Sequence, residues 1–183
     1  MEKALPFISN SRYTDRITGK SQCLPDRPTC VTFNCMHSEE RNSLTILLAD
    51  DDEDDRVFFA DALAEVSSGD HLVAVENGIQ LMDMLLKEIP DILFLDLNMP
   101  FKNGYECLAE IRLAARYAQM PVVIISTSLQ PEAADRVYKQ GASMYIVKPN
   151  DYHHLKGFIE KVLRLYQEGR LLHPSGEKFI VRS

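Results

Sequence analysis

Four sets of polar residues could do chemistry in this sequence, and each follows a short apolar run. Asp50 and Asp51 follow Leu44–Ala49, Asp96 follows Ile92–Leu95, Ser126 follows Val122–Ile125, and Lys148 follows Met144–Val147. Brought together, three carboxylates would repel one another, and some would take up protons unless a cation intervened. A hard divalent ion answers that repulsion. Mg²⁺ suits it best, because it takes one or two carboxylates, keeps several waters and completes its shell with a phosphate oxygen. A lysine ammonium and a serine hydroxyl beside it would complete a phosphoryl site, with Asp96 as the nucleophile.

The elements that must position these groups follow from periodicity. Unbroken apolar runs of this length fit strands buried on both faces, as in a parallel sheet. The first run ends in six consecutive acids, Asp50 to Asp55. Phe58, Phe59, Ala62, Leu63 and Val66 then recur at helical spacing, so the later acids occupy a helix start, where negative charge suits the macrodipole. His71–Val75 is a second strand, Asn77-Gly78 a turn, and Leu81, Met84, Leu85 and Ile89 mark a helix that stops at Pro90. Gly104 opens a third helix carrying Leu108, Ile111 and Ala115. A fourth begins near Pro131 and ends at Gly141, a left-handed cap. Asn150 or Asp151 caps the last, whose inner face is Leu155, Phe158, Ile159, Val162, Leu163 and Tyr166. Five β-α units over roughly residues 44–168, joined by right-handed crossovers, predict a doubly wound parallel α/β sheet with helices on both faces. All the polar strand ends then share one edge, where such sheets bind ligands.

At this point the sequence resembles the response-regulator receiver domains of two-component signalling, of the single-domain chemotaxis type. Asp50-Asp51, Asp96-Leu97-Asn98-Met99-Pro100 with Gly104, Ser126-Thr127, and Tyr145-Ile146-Val147-Lys148-Pro149 carry the likeness in order and spacing. The resemblance implies a (βα)5 flavodoxin-like sheet with strand order 2-1-3-4-5. It implies that Asp96 accepts phosphate from a sensor histidine kinase or a phosphotransfer protein. Asp51 would bind Mg²⁺ directly, Asp50 directly or through water, and Asn98 through its backbone carbonyl. Lys148 would hold a phosphate oxygen, with a cis Lys148–Pro149 peptide. Ser126 would move toward the phosphoryl group and Tyr145 would turn inward behind it. The surface of the fourth helix, fifth strand and fifth helix would then change for an unknown downstream protein or for a second copy of this chain.

Rival readings accompany these. Tyr145 also fits an ordinary half-buried aromatic, and Asp52 and Glu53 fit flanking acids better than ligands. A receiver fold that binds partners without phosphorylation is the alternative function, and the completeness of the acid–serine–lysine set counts against it. A haloacid-dehalogenase type of enzyme needs a second acid two residues after its nucleophile; Asn98 stands there. Beyond its own loading and unloading of phosphate, no enzyme activity is expected.

The 183-residue chain carries a net charge of −7, which argues against non-specific nucleic-acid binding. Neither a membrane-spanning run nor a secretory signal is legible, so a cytoplasmic setting is expected. Residues 1–42, with Pro6, Pro25 and Pro28 and no apolar period, are expected to be a flexible arm, and Met36 is a candidate start. Cys23, Cys30 and Cys35 near His37 lack a Cys-x-x-Cys pair and are read as unpaired rather than as a zinc site. The receiver unit is assigned to residues 43–168. Residues 169–183 are a tail, too short for a DNA-binding domain, which could form a hairpin, pack on a partner or fray.

Overall fold

The computed structural model describes residues 43–128, 130–172 and 179–181. The expectations placed on residues 1–42, including the arm, the cysteines and Met36, lie outside the described residues. From Thr45 onward strands and helices alternate: β1 (Thr45–Ala49), α1 (Glu53–Val66), β2 (His71–Val75), α2 (Gly78–Lys87), β3 (Ile92–Leu95) and α3 (Gly104–Leu113). A 3₁₀ turn over Ala115–Tyr117 leads to β4 (Val122–Ser126), α4 (Pro131–Lys139), β5 (Met144–Val147), α5 (Tyr152–Gln167) and β6 (Ile180–Val181). Every strand pairing is parallel. The order is β2-β1-β3-β4-β5-β6, so the expected 2-1-3-4-5 sheet is present with one further strand at its edge.

The unbroken apolar runs are explained by covering on both faces. Successive side chains of a strand point to opposite faces. Leu47, Ala49, Leu93 and Leu95 accordingly pack with Leu81 and Leu85 of α2, Cys107, Leu108 and Ile111 of α3, and Ala134 and Val137 of α4. Ile46, Leu48, Ile92 and Phe94 pack instead with Phe59 and Leu63 of α1 and with Leu155, Ile159 and Val162 of α5. Phe59 meets Phe94 edge-on, ring centroids 4.8 Å apart. β2, on the sheet edge, is the least buried of the first five strands.

Helix starts obey local rules. The Asp52 carboxylate accepts from the backbone N–H groups of Asp54 and Asp55, and the Asn77 side chain does the same for Ile79 and Gln80. Asn103 and Glu106 form a capping box at α3, and Asp151, one of the two expected residues, caps α5. Gly141 has φ +92°, the left-handed stop expected after α4. Three apolar residues depart from expectation, one of them Ala115, which lies beyond α3 in the 3₁₀ turn and is exposed. Phe58 is 53% exposed, because the inward stripe of α1 runs through Phe59, Ala62 and Leu63. Ile89 lies beyond the end of α2 and is 43% exposed.

Among the described residues of the tail, Ile180 and Val181 add a sixth strand that the sequence reading did not anticipate, while residues 173–178 and 182–183 lie outside the described residues. Ile180 and Val181 pair in parallel with Tyr145 and Ile146, and the Tyr145 N–H donates to the Phe179 carbonyl at 2.8 Å. α5 has returned the chain to the starting end of β5, so a strand added there runs parallel to it. Phe179 is buried and meets Tyr138 edge-on at 4.9 Å. Phe179→Ala is expected to cost about 3 kcal/mol, the low end for a buried aromatic because the strand is short and at an edge. It should also speed exchange of the Tyr145 amide, which residue-resolved hydrogen exchange reads.

Candidate functional site

The carboxyl ends of β1, β3, β4 and β5 meet on one edge of the sheet, and the polar strand-end residues meet with them. Carboxylate oxygens of Asp50, Asp51 and Asp96 all lie within 4.8 Å of one another. Asp50 and Asp96 are buried and Asp51 is exposed. Backbone groups aim the two buried acids: Asp50 Oδ1 accepts from the Asp52 N–H at 3.1 Å and Asp96 Oδ1 from the Asn98 N–H at 3.2 Å. Arg56 ties down the strand end by donating to the Asp50 carbonyl at 2.8 Å.

Lys148 reaches into this cluster from the end of β5. Its Nζ lies 2.8 Å from Asp50 Oδ2, 2.7 Å from Asp55 Oδ2 and 3.0 Å from Asp96 Oδ2. Burial opposes the ammonium's charge, but the bonds to Asp50 and Asp55 and the charge of Asp96 outweigh it, so the Lys148 pKa is raised and the group stays protonated. Burial dominates at Asp50 and pushes its pKa up to about 6, even though Lys148 pulls the other way. Three carboxylates thus share one lysine ammonium, and Asp51 adds a fourth carboxylate to the cluster. A buried acid held above its usual range, beside two more oxygen donors, is what a hard divalent cation would relieve, and the donor set fits Mg²⁺.

Asp55 is the residue that sequence reasoning missed, having been assigned to the helix start. It is the third residue of α1, and Cα–Cβ bonds tilt toward a helix N-terminus, so its carboxylate points back over the sheet edge. That tilt was the available signal.

Ser126 is fully buried, and its Oγ accepts from the Ser128 N–H at 3.3 Å. Tyr145 is also buried rather than half-buried, and its hydroxyl donates to the Ser128 carbonyl at 2.8 Å. Ser128 therefore links the two residues. Asn98 is exposed beside Asp96. One expectation is corrected: no cis peptide occurs among the described residues, so Lys148–Pro149 is trans. Trans is the form an Xaa–Pro bond prefers by about 0.5–1 kcal/mol, and from it the ammonium reaches its three carboxylates. An open cavity of about 320 Å³ adjoins the site, with Asp50, Asp55, Thr127 and Lys148 on its polar side and Phe58 and Pro149 among its apolar walls.

Gly104 is required by close approach. A Cβ there would lie 2.2 Å from the Asp96 carbonyl oxygen and 2.8 Å from Leu97 Cα. Gly104→Ala is expected to cost about 3 kcal/mol, since backbone rather than a flexible side chain must give way, and urea unfolding checks it.

A family model described as the response regulator receiver domain matches residues 46–160. The chain is 32% identical over 123 residues to the DNA-binding transcriptional regulator NtrC of Escherichia coli, covering 67% of this chain but only 25% of that protein. It is 32% identical over 121 residues to a chemotaxis protein CheY homolog of Campylobacter jejuni, covering 66% of this chain and 92% of that one. Among solved structures, the phosphorylated cyanobacterial phytochrome response regulator RcpA superposes with a TM-score of 0.65 at 28% identity, over 70% of this chain and 96% of that one. The Mn²⁺-bound form of response regulator Rcp1 gives 0.63 at 25% identity, over 72% and 99%.

Proposed function

The chain belongs to the response-regulator receiver family, and from that premise we propose that it is a phosphorylation switch with Asp96 as its phosphoacceptor. One arrangement supports this above all. Asp96 lies with Asp50 and Asp51, their oxygens within 4.8 Å, and its own carboxylate is bonded to a buried ammonium at 3.0 Å. Attack by an Asp96 oxygen on a phosphohistidine forms a P–O bond and breaks the P–N bond, and the leaving imidazole takes up a proton. Asp50, Asp51, Asp96 and the Asn98 backbone carbonyl would hold Mg²⁺, which when bound supplies charge to neutralise phosphoryl oxygens. Lys148 supplies a second positive charge, and Ser126 a hydroxyl for a phosphoryl oxygen.

The donor is a sensor histidine kinase or a phosphotransfer protein. Output passes by protein contact across α4, β5 and α5, to a downstream protein or a second copy of this chain. The Ser126–Ser128–Tyr145 linkage gives the site a physical path to that face, and β6 lies along its β5 edge. Phosphate contacts would bias a two-state surface rather than create a new one.

Intact-mass spectrometry after incubation with acetyl phosphate tests this. A single phosphoryl adduct that forms with Mg²⁺ and not with EDTA is expected. Size-exclusion chromatography of the same samples reads any phosphate-dependent dimer. No adduct, under conditions that label a known receiver, would leave a partner-binding module that works without phosphate.

A further inference from the structure

We propose that Asp55 is a positioning residue for Lys148, competing with the incoming phosphoryl group for the ammonium and so slowing the loading of Asp96. The inference rests on reading Asp96 as the phosphoacceptor. A lysine ammonium has three N–H donors. Here the Lys148 Nζ donates to Asp55 at 2.7 Å and to Asp96 at 3.0 Å, and Asp50 forms an ion pair with it at 2.8 Å. A phosphoryl oxygen arriving on Asp96 must share the ammonium with the carboxylates already gathered round it.

Exposure decides which of these gives way. The Asp50 and Asp96 side chains are only 3% and 6% exposed, whereas that of Asp55 is 42% exposed. Asp50 and Asp96 also belong to the proposed metal and acceptor set, and Asp55 does not. A released Asp55 carboxylate returns to water. Its bond to Lys148 is therefore the one that opens, and its strength is what the phosphoryl group must overcome. Asp55 is also dispensable to the helix it sits on, because the Asp52 side chain caps α1. Its charge also suits the helix start, as those of Glu53 and Asp54 do, but of these three only Asp55 is bonded to Lys148.

An exposed ion pair of this kind changes a rate by about twofold to fivefold. Asp55→Asn should therefore accept phosphate from acetyl phosphate, with Mg²⁺ present, about twofold to fivefold faster than the unaltered chain. Asp55→Glu keeps the carboxylate and should return the rate toward that of the unaltered chain. Asp54→Asn removes the same charge from the same helical turn without touching Lys148, and should leave the rate unchanged. A measurement without any phosphodonor stands beside these. The ¹⁵Nζ resonance of Lys148, identified by its loss in Lys148→Ala, should shift and exchange faster with water in Asp55→Asn.

Asp96-dependent labelling of the unaltered chain with equal or slower labelling of Asp55→Asn overturns the inference while leaving the acceptor in place. Equal acceleration by Asp54→Asn also overturns it, by reducing the effect to general charge. Absence of Asp96 labelling in the unaltered chain overturns the acceptor reading and this inference with it. Should Asp55→Asn fail to fold, Asp55→Ser carries the same comparison.

Discussion

Lys148→Ala is expected to lower stability by about 3–5 kcal/mol in the presence of a chelator, the range for removing one partner of a buried ionic cluster. The ammonium is 11% exposed and holds together Asp50, Asp55 and Asp96. Its raised pKa fixes the sign. The stabilisation is present in full below the ordinary lysine value of 10.5 and is lost as pH rises through the higher folded value. Mg²⁺ should restore much of the loss, because a divalent ion can neutralise the same acids. Phosphate loading should not recover in step. A positive charge aimed at the transferring group is worth about a hundredfold in rate, and the metal cannot stand in two places. Urea unfolding with and without Mg²⁺, beside acetyl-phosphate labelling rates, separates the two effects. Full recovery of the rate by Mg²⁺ would show that Lys148 serves only the fold.

Asp50→Asn carries the opposite expectation for stability. Burial lifts the Asp50 pKa from 3.8 to about 6, so its ionised form is costly in the folded chain. Between those two values the folded chain binds more protons than the unfolded one. Stability therefore falls as pH rises through that window and stays at the lower level above it. Asparagine has no charge to lose. In EDTA its advantage should be small below pH 4 and grow to about 3 kcal/mol at pH 7, a shift of roughly two units at 1.36 kcal/mol each. Mg²⁺ should narrow or reverse the difference, since binding to the folded state stabilises only a chain that can hold the ion. The acid would thus be kept for the cation at the expense of the apo fold. Urea melts from pH 4 to pH 8 check this, and an Asp50→Asn chain less stable at pH 7 in EDTA would refute it.

Much of this architecture could be read from the chain because burial and spacing agree. Runs such as Ile92–Leu95 are continuous since helices cover both sides of β3, and they end in polar residues because the edge above them is open. Asn77, Asn103 and Asp151 mark helix starts through bonds that span only two or three residues. What escaped depends on contacts that periodicity does not encode. Phe58 keeps helical spacing with the core of α1 yet falls outside its inward stripe. β6 is two residues long, and its place follows from a partner strand some thirty-five positions earlier in the chain rather than from any local pattern. At the site, Asp50, Asp51, Asp96 and Lys148 were legible from their places at strand ends. Asp55 was hidden in an acidic run whose helical role already accounted for it, and the Ser128 carbonyl that holds Tyr145 carries no sequence signature.

The identity of the phosphoacceptor is the point on which the account turns. An aspartyl phosphate can be trapped by borohydride reduction, which leaves homoserine at the modified position. After incubation with acetyl phosphate and Mg²⁺, reduction and proteolysis, peptide mass spectrometry should find homoserine at position 96 and nowhere else, with none in Asp96→Asn. Homoserine at Asp50, Asp51 or Asp55, or an unmodified chain beside a labelled reference receiver, would contradict it.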